Sequence, residues 1–353
     1  MTRHSTYISG LLILACLLPS CRKSDIGEPR QGASAISLSS PQFIPQTRGT
    51  DPLQDDNLKN FGISAIYNFD GTGENRWYLS EQAVIKGAGE HEWVINPQAY
   101  WPLFGDLSFF FHAPSNINYP EIKFIETGTG LPMVEFTPST TDIAGQIDFC
   151  MGRPVMHYTQ ADNPVPVHLE HTLTQLMFYA NYTGRIPKGF FMLITEVKVK
   201  NVVGTKRATY STSEPYYVWE DESAHTADSV YVLERSKNHM AQDSIRISKG
   251  LDPDTYYPLS NSPGRLYLLP QTLGPDAVIE VTYGFYTNYG ANPTLIAMFA
   301  KEVPLPEGQV WHGGETINYQ MTVDVGISSP IKLTCTITDW VSSGNTHAQQ
   351  EYE

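Results

Sequence analysis

The sequence predicts an all-β protein built from many short strands. Of its 353 residues only 17% are charged and 12% are aromatic, and the chain has 20 Tyr, 25 Pro and 27 Gly. Aromatic residues favour strands, whereas Pro and Gly favour the turns that join them. Apolar and polar residues also alternate along several segments, which is typical of strands with one buried face.

The length exceeds that of one ordinary β-sandwich and fits two tandem sandwich domains after a targeting segment. The predicted boundary is the run of residues 162–166, in which Pro164 and Pro166 cannot both belong to a central strand. We therefore expect domains at residues 49–163 and 164–341, followed by a polar tail at residues 342–353.

The N-terminus has the features of an export signal. Arg3 and His4 precede an apolar stretch at residues 8–18, which is too short to span a bilayer permanently. The stretch ends in the sequence Leu-Pro-Ser-Cys, and a small residue before the cysteine resembles a lipobox. We expect residues 1–20 to be a lipoprotein signal peptide and Cys21 to be lipidated, with ordinary cleavage nearby as the alternative.

Residues 21–48 have the pattern of a tether followed by one separable strand. Polar residues dominate 22–33, and the apolar run at 35–38 and the pair Phe43-Ile44 follow. A Gly/Asp/Pro-rich break at residues 46–52 then interrupts the pattern. An isolated strand before such a break indicates a separable element.

Three later segments guide the fold prediction. Leu107–Phe111 is an apolar run suited to a strand buried on both faces. Residues 316–325 alternate strictly, with each polar residue facing out and each apolar residue facing in. Leu169–Tyr182 is ambiguous, because its apolar residues fit either a helix face or a strand.

The net charge of −14 excludes a nucleic-acid partner, which would require a concentrated basic surface. Cys16 lies in the signal, which leaves Cys150 and Cys335 beside Cys21, without paired metal-site spacing. Cys335 shares a face with apolar residues, so we expect a buried thiol. A disulfide between Cys150 and Cys335 is the alternative, and it would have to join the two predicted domains.

We find no nucleophile elbow, zinc-protease, phosphate-loop or dinucleotide motif, and we expect no enzyme activity, catalytic residue, cofactor or metal. His168 and Glu170 would share a strand face that excludes His171, so satisfied polar side chains explain the three better than a metal site. Residues 90–92 have the same weakness. Residues 70–75 faintly resemble a calcium loop, but a hairpin turn explains them better.

The aromatic residues allow a second interpretation. Tryptophans on one exposed plane could bind sugar, whereas tryptophans in strand patterns usually fill a core. No pair of carboxylates is picked out for glycoside hydrolysis. The tryptophans are Trp77, Trp93, Trp101, Trp219, Trp311 and Trp340.

The order of several short sequence pieces resembles the fimbrillin-like family, whose members form or decorate pili of certain Gram-negative anaerobes. Each piece is weakly specific alone, and their order carries the resemblance from Ile36 to Trp340. The pieces are the lipobox at Cys21, the strand before Arg48, and residues 100–102, 107–111, 169–176, 268–271, 311–319 and 337–340.

The resemblance implies two transthyretin-like β-sandwiches and a defined assembly route. A lipidated precursor reaches the surface, where an arginine-specific protease cuts between Arg48 and Gly49 and so removes the lipid and the strand at 35–44. A strand from a neighbouring subunit then fills the opened groove. The alternative for Arg48 is an ordinary solvated loop residue.

The expected function is a structural or adhesive subunit of a cell-surface pilus, as shaft, tip or anchor. Its expected partners are other pilus subunits through strand complementation, the outer membrane through lipid on Cys21 before cleavage, the surface protease, and a host protein or glycan receptor. The alternatives are a surface glycan-binding lipoprotein and a β-sandwich hydrolase. The polar tail departs from the family pattern, because it lacks the alternating apolar residues of a donor strand. Either the last strand, at residues 331–340, rearranges to donate, or the chain is a tip, anchor or accessory protein.

Overall fold

In the computed structural model, the chain is described at residues 34–43, 57–89, 92–141, 143, 145–184, 186–221, 225–234, 245–248, 255–259, 265–287, 293–324, 331–339 and 346–352. These residues contain strands and two 3-10 helices, Asn116–Asn118 and Gln160–Asp162, but no α-helix. The all-β prediction is therefore confirmed. Neither described helix has the length and apolar character needed to cross a membrane.

Twenty-five strands are present in the described ranges. Those in the first part of the chain are β1 (Gln42–Phe43), β2 (Asn60–Tyr67), β3 (Trp77–Lys86), β4 (Trp93–Asn96), β5 (Leu107–Ala113), β6 (Ile122–Ile125), β7 (Met133–Phe136), β8 (Cys150–Gly152), β9 (Val155–Tyr158), β10 (His168–His171), β11 (Thr174–Thr183), β12 (Phe190–Val202), β13 (Lys206–Tyr210) and β14 (Tyr217–Trp219). The remainder are β15 (Ser229–Glu234), β16 (Ile245–Ser248), β17 (Tyr257–Pro258), β18 (Arg265–Leu268), β19 (Gln271–Thr272), β20 (Val278–Thr287), β21 (Leu295–Pro304), β22 (Val310–Trp311), β23 (Glu315–Asp324), β24 (Lys332–Asp339) and β25 (Thr346–Tyr352).

The strands pair into five sheets. An eight-stranded sheet has the order β1-β10-β8-β5-β2-β3-β4, with β9 beside β5, and a four-stranded sheet has the order β14-β13-β7-β6. A six-stranded sheet has the order β17-β11-β23-β24-β25, with β18 beside β11. A five-stranded sheet has the order β15-β12-β20-β21, with β16 beside β12, and β19 pairs with β22.

The centre of the eight-stranded sheet is buried on both faces. Every residue of β5 is buried, as predicted for 107–111. Phe109 and Phe111 belong to one core, which is formed by side chains of this sheet and of the residues that connect its strands. Phe110 points to the opposite face and joins a second core with residues of the four-stranded sheet, including Phe136 and Tyr210. The Tyr210 hydroxyl donates to the carbonyl oxygen of Phe111 at 2.6 Å and ties the two sheets together.

A third core lies between the six-stranded and five-stranded sheets. It contains Tyr319 from β23 and Val281 from β20, and Cys335 is buried there as predicted. The predicted alternation is confirmed along most of β23, although Thr316 is also buried. The ambiguous segment 169–182 is strand, divided between β10 and β11.

Strand pairing crosses the boundary predicted at residues 163/164. The strand β10 pairs with β8, and β13 pairs with β7. A division that keeps paired strands together places residues 165–171 and 206–219 with the first group of strands. The two-domain organisation itself stays a prediction.

The predicted polar tail contains a strand. Residues 346–352 form β25, which pairs antiparallel with β24 at the edge of the six-stranded sheet. Sequence patterning did not indicate this strand, because the segment THAQQEY has no apolar alternation.

Candidate functional site

Residues 34–43, called the first-strand segment below, connect the two ends of the eight-stranded sheet. On one side an antiparallel bridge joins Ala35 to Tyr100, which follows the terminal strand β4. On the other side the segment runs parallel to β10 and to Val165 just before it. The segment therefore lies in a groove between residues 99–101 and 163–169, and it closes the sheet onto itself.

Backbone hydrogen bonds hold the segment from both sides. On the first side Ile36 N donates to Ala99 O at 3.0 Å, and Trp101 N donates to Ser34 O at 3.0 Å. On the second side three further bonds, each 2.9 Å long, follow the parallel pairing. They are Val165 N to Ser37 O, Ser39 N to Val165 O and Gln42 N to Val167 O. The segment is thus paired as an internal strand.

Asn163 adds a side-chain clamp to the groove. Ser37 N donates to its Oδ1 at 3.1 Å, and its Nδ2 donates to Ala35 O at 3.3 Å. A third polar contact lies beside it, where Val167 N donates to the hydroxyl oxygen of Ser39 at 3.0 Å. The predicted boundary residue Asn163 therefore has a specific role in retaining the first-strand segment.

The apolar side chains of the segment enter the core within the eight-stranded sheet. Ile36, Leu38 and Phe43 are all at least 91% buried, whereas Ser37 between the first two is exposed. The same core contains Trp101 from the connection after β4. Full burial of an aliphatic or aromatic side chain stabilises a fold by about 1.5–3 kcal/mol. The three side chains together therefore anchor the segment firmly.

Phe43 covers a buried polar cluster. Its ring stacks on the imidazole of His171, with centroids 5.4 Å apart and planes 24° apart. Nδ1 of His171 lies 2.9 Å from Oδ2 of Asp148 and 3.5 Å from Sγ of Cys150. Burial, and then the nearby Asp148 carboxylate, raise the pKa of the Cys150 thiol well above its ordinary value.

The sequence alone does not bring His171 and Cys150 together and does not single out Asp148. The three meet because His171 lies directly opposite Cys150 in the β10–β8 pair. Strand alternation around residues 148–150 and 168–171 was the available signal, but the pairing of these two strands could not be read from it.

The expectation that His168 and Glu170 point away from His171 is confirmed. The first two are partly exposed, whereas His171 is buried. Oε1 of Glu170 accepts a 2.6 Å charge-assisted hydrogen bond from Nε of Arg153. Partial burial, with Arg153 nearby, lowers the pKa of His168. Glu170 is therefore paired with Arg153, and His168 is a partly exposed side chain at the surface.

The loop at residues 70–75 is a turn, as predicted. Oδ1 of Asp70 accepts from the backbone N–H groups of Gly73 at 2.7 Å and Thr72 at 2.8 Å, which lowers the Asp70 pKa. Gly71 has a φ of 76°, a conformation that favours glycine. The loop joins β2 to β3, which pair antiparallel. In the 90–92 triplet, Glu92 accepts from Gly89 N at 3.0 Å, and residues 90 and 91 lie outside the described residues.

The described tryptophans do not form an exposed platform. Trp93, Trp101 and Trp311 are buried. Trp77 and Trp219 are partly buried and pack against the core between the eight-stranded and four-stranded sheets. Trp340 lies outside the described residues.

The remaining predicted sites are distributed as follows. Cys21, Arg48 and Gly49 lie outside the described residues. Cys150 and Cys335 are both buried thiols, so the disulfide considered as an alternative does not form in the described part of the chain. The two lie in separate cores.

Comparison with known proteins agrees with this architecture. The profile of the fimbrillin-like family matches residues 47–340. A comparison with curated proteins gave no match.

Several solved structures are similar to the chain. A fimbrial protein from Bacteroides vulgatus is 18% identical, with a TM-score of 0.66, and the alignment covers 87% of this chain and 99% of that one. A candidate cell adhesion protein from Bacteroides uniformis is 12% identical, with a TM-score of 0.48 and coverage of 89% and 100%. Another from Bacteroides ovatus is 13% identical, with a TM-score of 0.44 and coverage of 88% and 99%. The first of these similarities shows a shared fold.

Proposed function

Since the chain belongs to the fimbrillin-like family, we propose that it is a structural or adhesive subunit of a cell-surface pilus, as shaft, tip or anchor. The observation that carries the proposal is the pairing of the first-strand segment in its groove from both sides. The proposed cut after Arg48 would separate this segment from the rest of the chain. A structural role of this kind requires no catalytic residue.

The proposed precursor is a lipoprotein of the outer membrane. Residues 1–20 direct export, and lipid on Cys21 anchors the chain, since several acyl chains on one cysteine give stable attachment. Cys21 precedes the first-strand segment. Lipid and segment therefore lie on the same side of the proposed cleavage site and leave together.

The proposed cut by an arginine-specific protease falls between Arg48 and Gly49, five residues after Phe43. The cut leaves the segment held only by non-covalent contacts. Five backbone hydrogen bonds contribute roughly 1 kcal/mol each, and three buried side chains contribute about 1.5–3 kcal/mol each. Contacts of this total strength would keep the cleaved segment in its groove. We therefore propose that another strand replaces the segment, rather than that the segment leaves spontaneously.

Strand exchange follows from the state of the emptied groove. Without the segment, backbone groups at residues 99–101 and 163–169 lose their partners, and an apolar core opens to water. Such an edge is costly until another strand pairs with it. A strand from a neighbouring subunit satisfies both requirements by β-augmentation.

For donation by this chain two options stay open, because β25 is polar and lacks the alternating apolar residues that would fill the emptied groove. Either the apolar strand β24 rearranges to donate, which would break its pairing with both β23 and β25, or the chain is a tip, anchor or accessory subunit.

The alternative of a glycan-binding lipoprotein has less support. It needs exposed, coplanar tryptophans, and those in the described residues pack in or against cores. The pilus role instead uses the two-sided pairing of the first-strand segment.

The proposal is tested by intact mass and N-terminal sequencing of the protein recovered from the cell surface. A mature chain that starts at Gly49 supports strand removal. A chain that still starts at acylated Cys21 in assembled fibres contradicts cleavage-triggered exchange and leaves an uncleaved anchor or a ligand-binding lipoprotein.

A further inference from the structure

Three side chains of types that can bind metal ions, Asp148, Cys150 and His171, meet beneath the first-strand segment. Cys150 and His171 are 21 residues apart in the sequence but directly opposite each other in the β8–β10 pair. Directly opposite residues of an antiparallel pair project to the same face. Asp148 lies two residues before Cys150 and projects its carboxylate to the same place. A carboxylate, a thiol and an imidazole therefore converge.

The three groups lie close enough together to share one metal ion. Nδ1 of His171 lies 2.9 Å from Oδ2 of Asp148 and 3.5 Å from Sγ of Cys150, and one donor atom from each residue lies within 4.8 Å of the other two. Zinc bonds of about 2.3 Å to sulfur and 2.0–2.2 Å to nitrogen and oxygen place tetrahedral ligand atoms roughly 3.3–3.6 Å apart. The distance between His171 and Cys150 falls in this range, and the Asp148 carboxylate would shift to complete the geometry.

The surroundings also fit a buried metal site. Asp148, Cys150 and His171 are each at most 5% exposed. The strand that carries His171 is fixed from the side by Tyr217, whose hydroxyl donates to the His171 carbonyl oxygen at 3.3 Å. The buried Asp148 carboxylate already contacts His171, and a divalent cation would add a positive charge beside it.

We propose that Asp148, Cys150 and His171 bind one Zn²⁺ ion, with water in the fourth position. Binding displaces the thiol proton of Cys150 to solvent, and the cation stabilises the thiolate that remains. A mixed sulfur, nitrogen and oxygen donor set suits zinc, whereas calcium and magnesium prefer oxygen ligands alone.

Phe43 gives the site a cover. Its ring stacks on the His171 imidazole from the first-strand segment, so the segment restricts the path of the ion to the cluster. Binding itself uses residues outside the segment. The zinc site therefore does not depend on cleavage at Arg48 or on pilus assembly.

The direct test uses the purified full-length chain, reduced with a non-chelating reductant and equilibrated with ZnCl₂. Metal content after gel filtration is expected to be about one zinc per chain. Cys150→Ser and His171→Ala should lose it. Cys335→Ser, at the other buried thiol, and His168→Ala, on the opposite strand face, should retain it. Zinc content that is unchanged in Cys150→Ser overturns the proposal, as does a wild-type chain that retains none.

Cobalt provides a readout that does not depend on how well the variants fold. Co²⁺ bound to wild-type protein should give a thiolate-to-metal charge-transfer band in the near ultraviolet, and zinc should abolish it. Bound cobalt without that band contradicts ligation by Cys150. Phe43→Ala should accelerate zinc uptake. An uptake rate equal to that of the wild type would show that the Phe43 ring does not restrict access to the site. Since no cut is involved, these results are independent of the N-terminal sequencing test.

Discussion

Asn163 and Ser37 are 126 residues apart in the sequence, yet Ser37 N donates to Oδ1 of Asn163 at 3.1 Å. The same side chain donates to the carbonyl oxygen of Ala35. The side-chain amide of Asn163 therefore bonds the backbone at two outward-facing residues of the first-strand segment, Ala35 and Ser37. It helps to fix the register of that segment in its groove.

Asn163→Ala is expected to loosen the first-strand segment. The change removes two hydrogen bonds worth roughly 1 kcal/mol each, so backbone amides of the segment should exchange about tenfold faster or more. Hydrogen exchange at Ser37 is the measurement. Asn75→Ala is the matched control, because the Asn75 amide also bonds backbone carbonyls but at Thr127 and Gly130. Equal acceleration at Ser37 in both variants would refute the clamp.

Ile36→Ala is expected to speed the release of the cleaved segment. Truncation of a buried isoleucine costs about 2–5 kcal/mol, and about 2 kcal/mol already corresponds to a roughly thirtyfold weaker hold. The measurement is dissociation of the peptide that ends at Arg48 after proteolysis, followed by mass spectrometry. Ser37→Ala, at the exposed neighbouring position, should leave the rate unchanged. A rate that is equally fast in both variants would show that burial does not retain the segment.

Arg48→Lys is expected to prevent maturation by an arginine-specific protease while keeping the positive charge. N-terminal sequencing of the treated surface protein should then no longer give Gly49. Arg30→Lys, in the same leader, should leave that N-terminus in place. A Gly49 start in the Arg48 variant would assign the cut to a protease of different specificity.

His112 is expected to make the protein less stable in mild acid. Its side chain is fully buried, and burial lowers its pKa to about 4 from 6.5. The unfolded chain therefore takes up a proton below pH 6.5 that the folded chain excludes. The free energy of unfolding should be at its full value above pH 6.5 and fall by about 3 kcal/mol as the pH drops to about 4.

Denaturant unfolding between pH 7 and pH 4 measures this contribution. His112→Phe retains a flat ring and should lose less stability across that range than the wild type. The exposed residue His312 supplies the control, because His312→Gln should follow the wild-type curve. Parallel curves for the wild type and His112→Phe would show that His112 does not titrate in this way.

The contact between His112 and Gly62 illustrates a part of the fold that patterning does not reveal. A Cβ at Gly62 would overlap the His112 ring, so the glycine in β2 makes room for an imidazole in β5. The alternation of β23 and the apolar run of β5 were readable because each depends on local periodicity alone. Which residues lie opposite each other depends on strand pairing over long separations.

The same limit explains the groove and the polar cluster. The sequence predicted a separable strand near residues 35–44 from its isolation, but its neighbours at 99–101 and 163–169 are distant in the chain. Asn163 belongs to a proline-rich turn pattern, which by itself predicts a boundary residue. Its bonds to the first-strand segment become visible only when the two ends of the eight-stranded sheet are brought together.

The two walls of the groove also set an order of events during synthesis. Residues 34–43 are made early, but the second wall is complete only when the chain has grown past residue 169. Closing so long a loop costs little more entropy than closing a shorter one, yet it cannot begin before that point. Residues 34–43 are therefore synthesised first among the described residues of the eight-stranded sheet but can complete their pairing only after residues 163–169 have been made.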